Sequence, residues 1–247
     1  MRTVLCESPK VLGEQAALDA ATQLRACVTK RGTARLLVST GASQFTFFEA
    51  FVKLDVPWDK VEMFHLDEYV GMPETHPASF VGYLKERFVN RVHLKKAHFI
   101  DGTENVKTCI ARVTKEIRIA PIDVGLIGIG ENAHIAFNDP PADFECTAAF
   151  KTVQLDEACR KQQLGEGWFA TLEDVPRTAI SMTVHQIMQC RKIICAVPYR
   201  VKARAVHDTL NAPEVTNLIP ATMLHNHADV TLYLDPDSAS MLEMPER

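Results

Sequence analysis

The stretch Val124-Gly-Leu-Ile-Gly-Ile-Gly-Glu-Asn-Ala-His-Ile-Ala-Phe-Asn-Asp-Pro140 indicates how the whole chain is organised. Its first six residues, 124–129, form an apolar run that is typical of a strand buried on both faces of a parallel sheet. Gly128 and Gly130 predict a tight turn at the carboxyl end of this strand. Because open α/β sheets bind ligands at the carboxyl ends of their strands, the turn is a candidate binding site.

The same turn carries one imidazole, His134, close to polar side chains in sequence. These polar neighbours are Glu131, Asn132 and Asp139. A histidine beside groups that can orient it suits acid–base chemistry near neutral pH. The alternative interpretation is a capped turn from a strand to a helix, with a histidine on the surface.

Short apolar runs alternate with segments of helical spacing along the rest of the chain. Strands are expected at 34–38, 61–66, 98–100, 124–129, 192–197 and 230–234, with short apolar runs at 3–6 and 150–155. Helices are expected at 12–27, 45–52, 79–89, 106–117, 184–188 and 202–210. The polar segment 156–169 contains two glycines and reads as a mobile loop or a broken helix. This rhythm predicts an α/β fold: a single Rossmann-like domain over 1–247, whose mostly parallel sheet has helices on both faces.

Composition excludes several classes of function. The 247 residues carry a net charge of −4 without a long basic run, which argues against nucleic acid as the main partner. No signal peptide and no apolar stretch long enough to cross a membrane is evident, so no membrane partner is expected. The seven cysteines show neither a C-x-x-C pair nor zinc-ligand spacing, which indicates reduced thiols in a cytoplasmic protein.

Three further strand ends carry polar groups. Ser39–Gln44 places small and hydroxyl residues before a helix, an arrangement that suits an anion because helix N-termini favour negative charge. Asp67 and Glu68 follow another strand, where repulsion between adjacent carboxylates would raise the pKa of one and suit it to act as a base. Lys202 begins a helix after the strand that ends at Val197, which also points to an anionic ligand.

These motifs together resemble the glucosamine-6-phosphate deaminase/isomerase family within the 6-phosphogluconolactonase superfamily. Residues 66–73, with His76, Pro77 and Ser79, resemble the M-D-E-Y-V-G-L-P…H-P-x-S signature, and residues 130–140 resemble G-N-D-G-H-I-A-F-N-E-P. The 39–43 loop resembles P-T-G-G-T, and 197–202 is similar to the strand, turn and lysine that contact the sugar phosphate. The lactonases differ at the acidic motif and after the histidine, where this chain sides with the deaminases.

The resemblance implies that glucosamine 6-phosphate and water become fructose 6-phosphate and ammonia without a cofactor or metal. Asp67 would move a proton between C2 and C1, and His134, oriented by Asp139 and Asn132, would handle the proton of the ring oxygen. The remaining implied roles concern substrate binding. Thr40, Gly41, Ala42, Ser43 and Lys202 would hold the phosphate, and Glu68, Gly128 and Ala136 would complete the sugar site.

The chain departs from the signatures at several positions. Asn132 stands where the quoted signature has aspartate, which predicts a less stabilised imidazolium and a lower pKa for His134. Ala133 replaces a glycine, so a positive φ there would require strain. The possible lid at about 156–176 lacks a clean match to the second arginine, which leaves Arg160 as the candidate phosphate ligand. Of the residues that bind an allosteric activator in hexameric members, Lys151 alone is reproduced, so we expect no such allostery and a monomer or small homo-oligomer.

Other functions stay open at this stage. A galactosamine-6-phosphate isomerase or a 6-phosphogluconolactonase would use a similar pocket, and release of ammonia against hydrolysis of a lactone separates these reactions. A non-catalytic sugar-phosphate sensor is favoured by Asn132 but has no need of Asp67 or His134. Metal-dependent hydrolysis through the histidines at 65, 134, 225 and 227 lacks a recognised ligand spacing, and we expect the last two on a surface turn.

Overall fold

The computed structural model describes residues 1–165 and 167–243. The strands of this part are β1 (Arg2–Leu5), β2 (Ala34–Val38), β3 (Val61–His65), β4 (Asp67–Tyr69), β5 (Lys96–His98), β6 (Val124–Leu126), β7 (Phe150–Gln154), β8 (Thr178–Met182), β9 (Lys192–Val197) and β10 (Val230–Leu234). The α-helices are α1 (Pro9–Arg31), α2 (Phe45–Phe51), α3 (Phe80–Arg87), α4 (Val106–Ile117), α5 (Glu157–Gly165), α6 (Val184–Ile187) and α7 (Ala203–Asn211).

Seven strands form one fully parallel sheet in the order β1-β10-β9-β6-β2-β3-β5. Every residue of β2, β9 and β10 is buried, as expected for strands covered on both faces. One face packs against α1, α2 and α3, and the other packs against α4, α6 and α7. The predicted α/β architecture is therefore confirmed.

A second sheet was not predicted. Strands β4, β8 and β7 pair antiparallel, with Asp67 opposite Ser181 and Phe150 opposite Met182. The chain leaves the main sheet at Leu66, whose carbonyl accepts a hydrogen bond from Met182 N at 2.7 Å. A three-residue strand has no measurable periodicity, and its partner lies more than 100 residues away, so local patterns give no signal for this pairing.

Some predicted boundaries were wrong. Strand β6 ends at Leu126 rather than 129, because the backbone turns away after the bond from Ile127 N to Ile194 O. The segment at 156–169, expected to be a loop or a broken helix, contains α5, which Asp156 caps by accepting from Cys159 N at 2.8 Å. Strand β5 covers 96–98 instead of 98–100.

Helices able to span a membrane are absent from residues 1–165 and 167–243. None of the helices in these ranges combines the length and the apolar character needed to cross a bilayer.

Candidate active site

A cavity opens at the carboxyl ends of four neighbouring strands of the parallel sheet. Strands β9, β6, β2 and β3 lie side by side, and each contributes the residues that follow it to the cavity wall. The predicted site residues that line it are Thr40, Gly41, Ala42, Ser43, Asp67, Gly128, His134, Ala136 and Lys202. Residues that are far apart in sequence therefore meet at the carboxyl ends of the strands, where open α/β sheets bind ligands.

The imidazole of His134 is held by two side chains. Its Nδ1 lies 2.7 Å from Asn132 Oδ1 and 3.1 Å from Asp139 Oδ1, and Asn132 Nδ2 donates to the same Asp139 oxygen at 2.9 Å. Since both neighbouring oxygens are acceptors, the proton belongs on Nδ1, and Nε2 is the nitrogen left for the cavity. Asn132 thus joins the histidine to the carboxylate.

The electrostatics of Asp139 favour its charged form. Burial by itself would raise the pKa of this carboxyl, but hydrogen bonds and attraction from His134, together with the Asn132 amide, outweigh burial and hold the pKa below its usual value. A carboxylate that stays ionised can fix the orientation of the ring and stabilise a positive charge on it.

Small residues make room for the ring. A Cβ on Gly130 would lie 2.2 Å from Cε1 of His134, so residue 130 has to be glycine while the ring occupies this position.

Ala133 has a φ of +64° and Ala136 a φ of +50°, so both adopt the left-handed conformation that glycine adopts without strain. The strain anticipated at Ala133 is therefore present, as is common at functional sites.

Asp67 reaches the cavity from the second sheet. Pairing of β4 with β8 fixes its backbone, and the residue is only 7% exposed. It lines the same cavity as His134, so a carboxylate on β4 and an imidazole from the loop after β6 face one space. A substrate there would contact two groups able to transfer protons.

The loop after β2 forms another part of the wall. Gly41 has a φ of +99°, a value that favours glycine, and the next residues form a 3₁₀ turn that continues into α2. Gln44 ties this loop to β9 by donating to Ala196 O at 3.1 Å, and it also donates to Ser43 Oγ at 3.0 Å. Hydroxyl groups and the start of a helix are suited to an anion.

The loop after β9 brings Lys202 to the cavity. Lys202 is the last residue of a short 3₁₀ turn, 200–202, and immediately precedes α7. Tyr199 begins that turn with a φ of +79°, and its N–H donates to the buried Asp235 carboxylate at 3.2 Å. Since a non-glycine residue is strained in this conformation, the Asp235 bond helps to hold the loop that carries the lysine.

Helix α5 covers the cavity from outside the sheet. Gln163 accepts a hydrogen bond from Tyr69 Oη at 2.7 Å, and Gln162 lines the cavity beside it. The thiol of Cys159 is buried next to Asp139, which raises the pKa of the thiol far above its usual value by burial and by the neighbouring negative charge. Neutral polar groups therefore face the site from this helix.

Two predicted substrate ligands lie elsewhere. Glu68 does not line the cavity; its buried carboxyl accepts bonds from Ser79 Oγ and the backbone N–H of Val81, and burial raises its pKa. Arg160, 8% exposed, donates to the carbonyls of Leu172 and Val175. Side chains alternate along β4, so Glu68 points away from the face that carries Asp67. The guanidinium of Arg160 donates to backbone carbonyls. Both residues therefore stabilise the protein's own structure here.

The histidines considered as metal ligands are engaged separately. His65 accepts from Ile100 N at 2.8 Å, and His225 Nε2 contacts Thr209 O at 2.8 Å. His227, expected on the surface, is 9% exposed and contacts Cys190 O at 2.7 Å. Among residues 1–165 and 167–243, no group of three or more His, Cys, Asp or Glu side chains is arranged to hold a metal ion.

Sequence reasoning missed several cavity residues. They include the polar residues Gln162, Gln163 and Tyr199. Ser39 begins the 39–44 loop that was expected to bind an anion, but it was not given a role of its own. The glutamines gave no local signal, because α5 was not recognised as a helix.

Comparison with known proteins agrees with the geometry. Residues 7–233 match the family model described as glucosamine-6-phosphate isomerases/6-phosphogluconolactonase. A curated glucosamine-6-phosphate deaminase of Exiguobacterium sibiricum is 36% identical over 206 residues, which cover 83% of this chain and 80% of that protein. A deaminase of Streptococcus uberis is 32% identical over 213 residues, covering 86% and 89%.

Among solved structures, one described as a monomeric glucosamine-6-phosphate deaminase superimposes with a TM-score of 0.87 at 25% identity, covering 98% of this chain and 100% of the other. The family model spans most of the chain, and the identity with curated members exceeds 30% over more than four fifths of it. The chain therefore belongs to the family of glucosamine-6-phosphate isomerases and 6-phosphogluconolactonases.

Proposed function

We propose that this protein is a glucosamine-6-phosphate deaminase, which converts glucosamine 6-phosphate and water into fructose 6-phosphate and ammonia. The observation that carries the proposal is the histidine whose Nδ1 is fixed by Asn132 and Asp139 while Asp67 lines the same cavity. Isomerisation with deamination needs two proton-transferring groups at one substrate, and this arrangement supplies them. The curated relatives, which are deaminases, add support.

The roles follow from the chemistry of each group. His134, with its proton on Nδ1, would accept and return a proton at Nε2 during opening of the sugar ring, and Asp139 would stabilise the imidazolium. Asp67 would move the proton between C2 and C1. The steps are proton transfers, addition of water at C2 and breaking of the C2–N bond, from which ammonia departs after it has gained a proton.

Two loops, after β2 and after β9, would bind the phosphate, and the segment after β6 would bind the sugar. Thr40, Gly41, Ala42 and Ser43 would bind the phosphate from one side, and Lys202 from the other. Gly128 and Ala136 would place backbone against the sugar. Glu68 and Arg160 are not included, since both are occupied by other parts of the protein.

We also propose that 156–176 acts as a lid on a single domain over 1–247, although Glu166 and 244–247 lie outside the described residues. The hydrogen bond from Tyr69 to Gln163 supports this role, because it joins α5 to the cavity wall through polar groups that can exchange partners. We expect a monomer or small homo-oligomer in the cytoplasm, supported by the monomeric deaminase of the same fold and by cysteines that form no disulfide in the described residues.

The test is simultaneous detection of ammonia and fructose 6-phosphate from purified protein and glucosamine 6-phosphate, beside hydrolysis of 6-phosphogluconolactone. Equal amounts of both products are expected. Asp67→Asn should lose isomerisation yet still bind inorganic phosphate, whereas the exposed Asp59→Asn should keep full activity. Hydrolysis of the lactone without release of ammonia would replace the proposal with the lactonase alternative, and turnover retained by Asp67→Asn would refute the role of Asp67.

A further inference from the structure

Ser39 has a buried hydroxyl that makes no hydrogen bond within the protein. The residue is 5% exposed, its Oγ has no partner, and it lines the cavity. Leaving a buried hydroxyl unpaired is destabilising, so such a group at a binding site points to a partner that arrives with the ligand.

The neighbours of Ser39 explain why its hydroxyl is unpaired. The side-chain amide of Gln44 lies close by, but its Nε2 already donates to Ser43 Oγ and to Ala196 O. On the other side, residue 128 is glycine, and a Cβ there would lie 3.9 Å from Ser39 Oγ. Because residue 128 has no side chain, a ligand atom that occupies the Cβ position would contact the Ser39 hydroxyl and the Gln44 amide at ordinary distances.

The position of Ser39 identifies the part of the ligand that it can reach. It lies at the end of β2, immediately before Thr40 of the proposed phosphate loop, and beside Gly128, which leads to His134. A hexose phosphate that spans these two regions places the hydroxyls of its carbon chain between them. A serine hydroxyl both donates and accepts, which suits a secondary alcohol.

We propose that Ser39 is a specificity-determining residue that binds a hydroxyl of the sugar carbon chain, between the phosphate and the reacting carbons. The inference rests on the proposed function for the substrate class. It gives a separate role to the first residue of the 39–44 loop, next to residues 40–43 that would hold the phosphate.

The experiment measures binding of two probes by calorimetry, so that it does not depend on turnover. Glucitol 6-phosphate carries the chain hydroxyls and the phosphate, whereas inorganic phosphate carries only the anion. For Ser39→Ala we expect three- to ten-fold weaker binding of glucitol 6-phosphate, unchanged binding of phosphate, and an unchanged or higher melting temperature. The fold-change corresponds to one neutral hydrogen bond.

Thr209 supplies a matched control, because its hydroxyl is also buried and unpartnered but does not line the cavity. Thr209→Val should leave the affinity of both probes unchanged. Gly128→Ala, which covers the Ser39 hydroxyl with a methyl group, should weaken glucitol 6-phosphate binding as a second variant.

Three results would overturn the inference. These are equal affinities of the original protein and Ser39→Ala for glucitol 6-phosphate, an equal loss of affinity for both probes, and a fall in melting temperature beyond that of Thr209→Val. Failure of the proposed function is separate, since it is seen as absent release of ammonia by the unmodified protein.

Discussion

Replacing Gly130 by alanine tests whether the absence of a side chain at residue 130 sets the position of the His134 ring, which is proposed to transfer protons. The added Cβ would lie 2.2 Å from Cε1 of His134 and 2.4 Å from Nδ1, whereas ordinary contact begins near 3.4 Å. The ring must therefore retreat by about 1.2 Å. The Nδ1 bond to Asn132 is 2.7 Å long and cannot survive such a shift without reorganisation of the turn.

The expected loss of activity follows from this displacement. Misplacement of a reacting group by about 1 Å costs on the order of 10²-fold, and removal of a general acid or base costs about 10²–10⁴-fold. We therefore expect kcat/KM for glucosamine 6-phosphate to fall by about 10²–10³-fold. The added methyl group should also lower the free energy of unfolding by about 1–3 kcal/mol, because it overpacks the turn. This loss is measurable and leaves the protein folded.

The assay is a double-mutant cycle with kcat/KM measured for Gly130→Ala, His134→Ala and the combined variant. If alanine at 130 acts through the ring, it should have no further effect once the ring is absent. Gly165→Ala is the matched control, because a Cβ at residue 165 meets no atom within 4 Å. An equal loss in the presence and absence of His134 would refute the reasoning and place the damage in the backbone.

Three further predictions address residues whose roles the fold redefined. Arg160→Met should leave two carbonyls without their donor and lower the unfolding free energy by about 1–3 kcal/mol, while the affinity for inorganic phosphate stays constant; weaker phosphate binding would restore the ligand role. Asn132→Asp should raise kcat at pH 7, because it restores the aspartate of the signature beside His134 and a carboxylate stabilises an imidazolium better than an amide does; unchanged activity would show that the site is organised differently. Burial lowers the pKa of His65 to about 3, whereas the same group in the unfolded chain takes up a proton below about pH 6.5. Because the unfolded state binds this proton first, His65 should lower the free energy of unfolding by about 2 kcal/mol between pH 7 and pH 5. Denaturant titrations of the original protein and His65→Asn should differ by that pH-dependent amount, and identical pH profiles would contradict the prediction.

Much of the fold was predictable because its strands are short apolar runs separated by helices with periodic apolar faces. The runs at 34–38, 192–197 and 230–234 became strands with the predicted bounds, and their parallel arrangement follows from the intervening helices. Asp67, His134 and the 40–43 loop were also recognisable as candidates, because they follow strands whose carboxyl ends share one edge.

The remaining features depend on contacts between distant segments. Glu68 and Asp67 are adjacent and chemically alike, yet pairing of β4 with β8 places one in the cavity and the other against α3. Arg160 had the charge expected of a phosphate ligand, but the fold of its own segment supplied two carbonyls that occupy it.

The sequence by itself determined the succession of strands and helices along the chain and the strand ends that are followed by candidate polar residues. Through its motifs, it also determined the family. The tertiary structure alone decided which face each polar side chain occupies and which hydrogen bonds are already made within the protein. The physical reason is that periodicity and turn chemistry act over a few residues. Whether a buried group such as the Ser39 hydroxyl is paired depends instead on atoms brought to it from other parts of the chain.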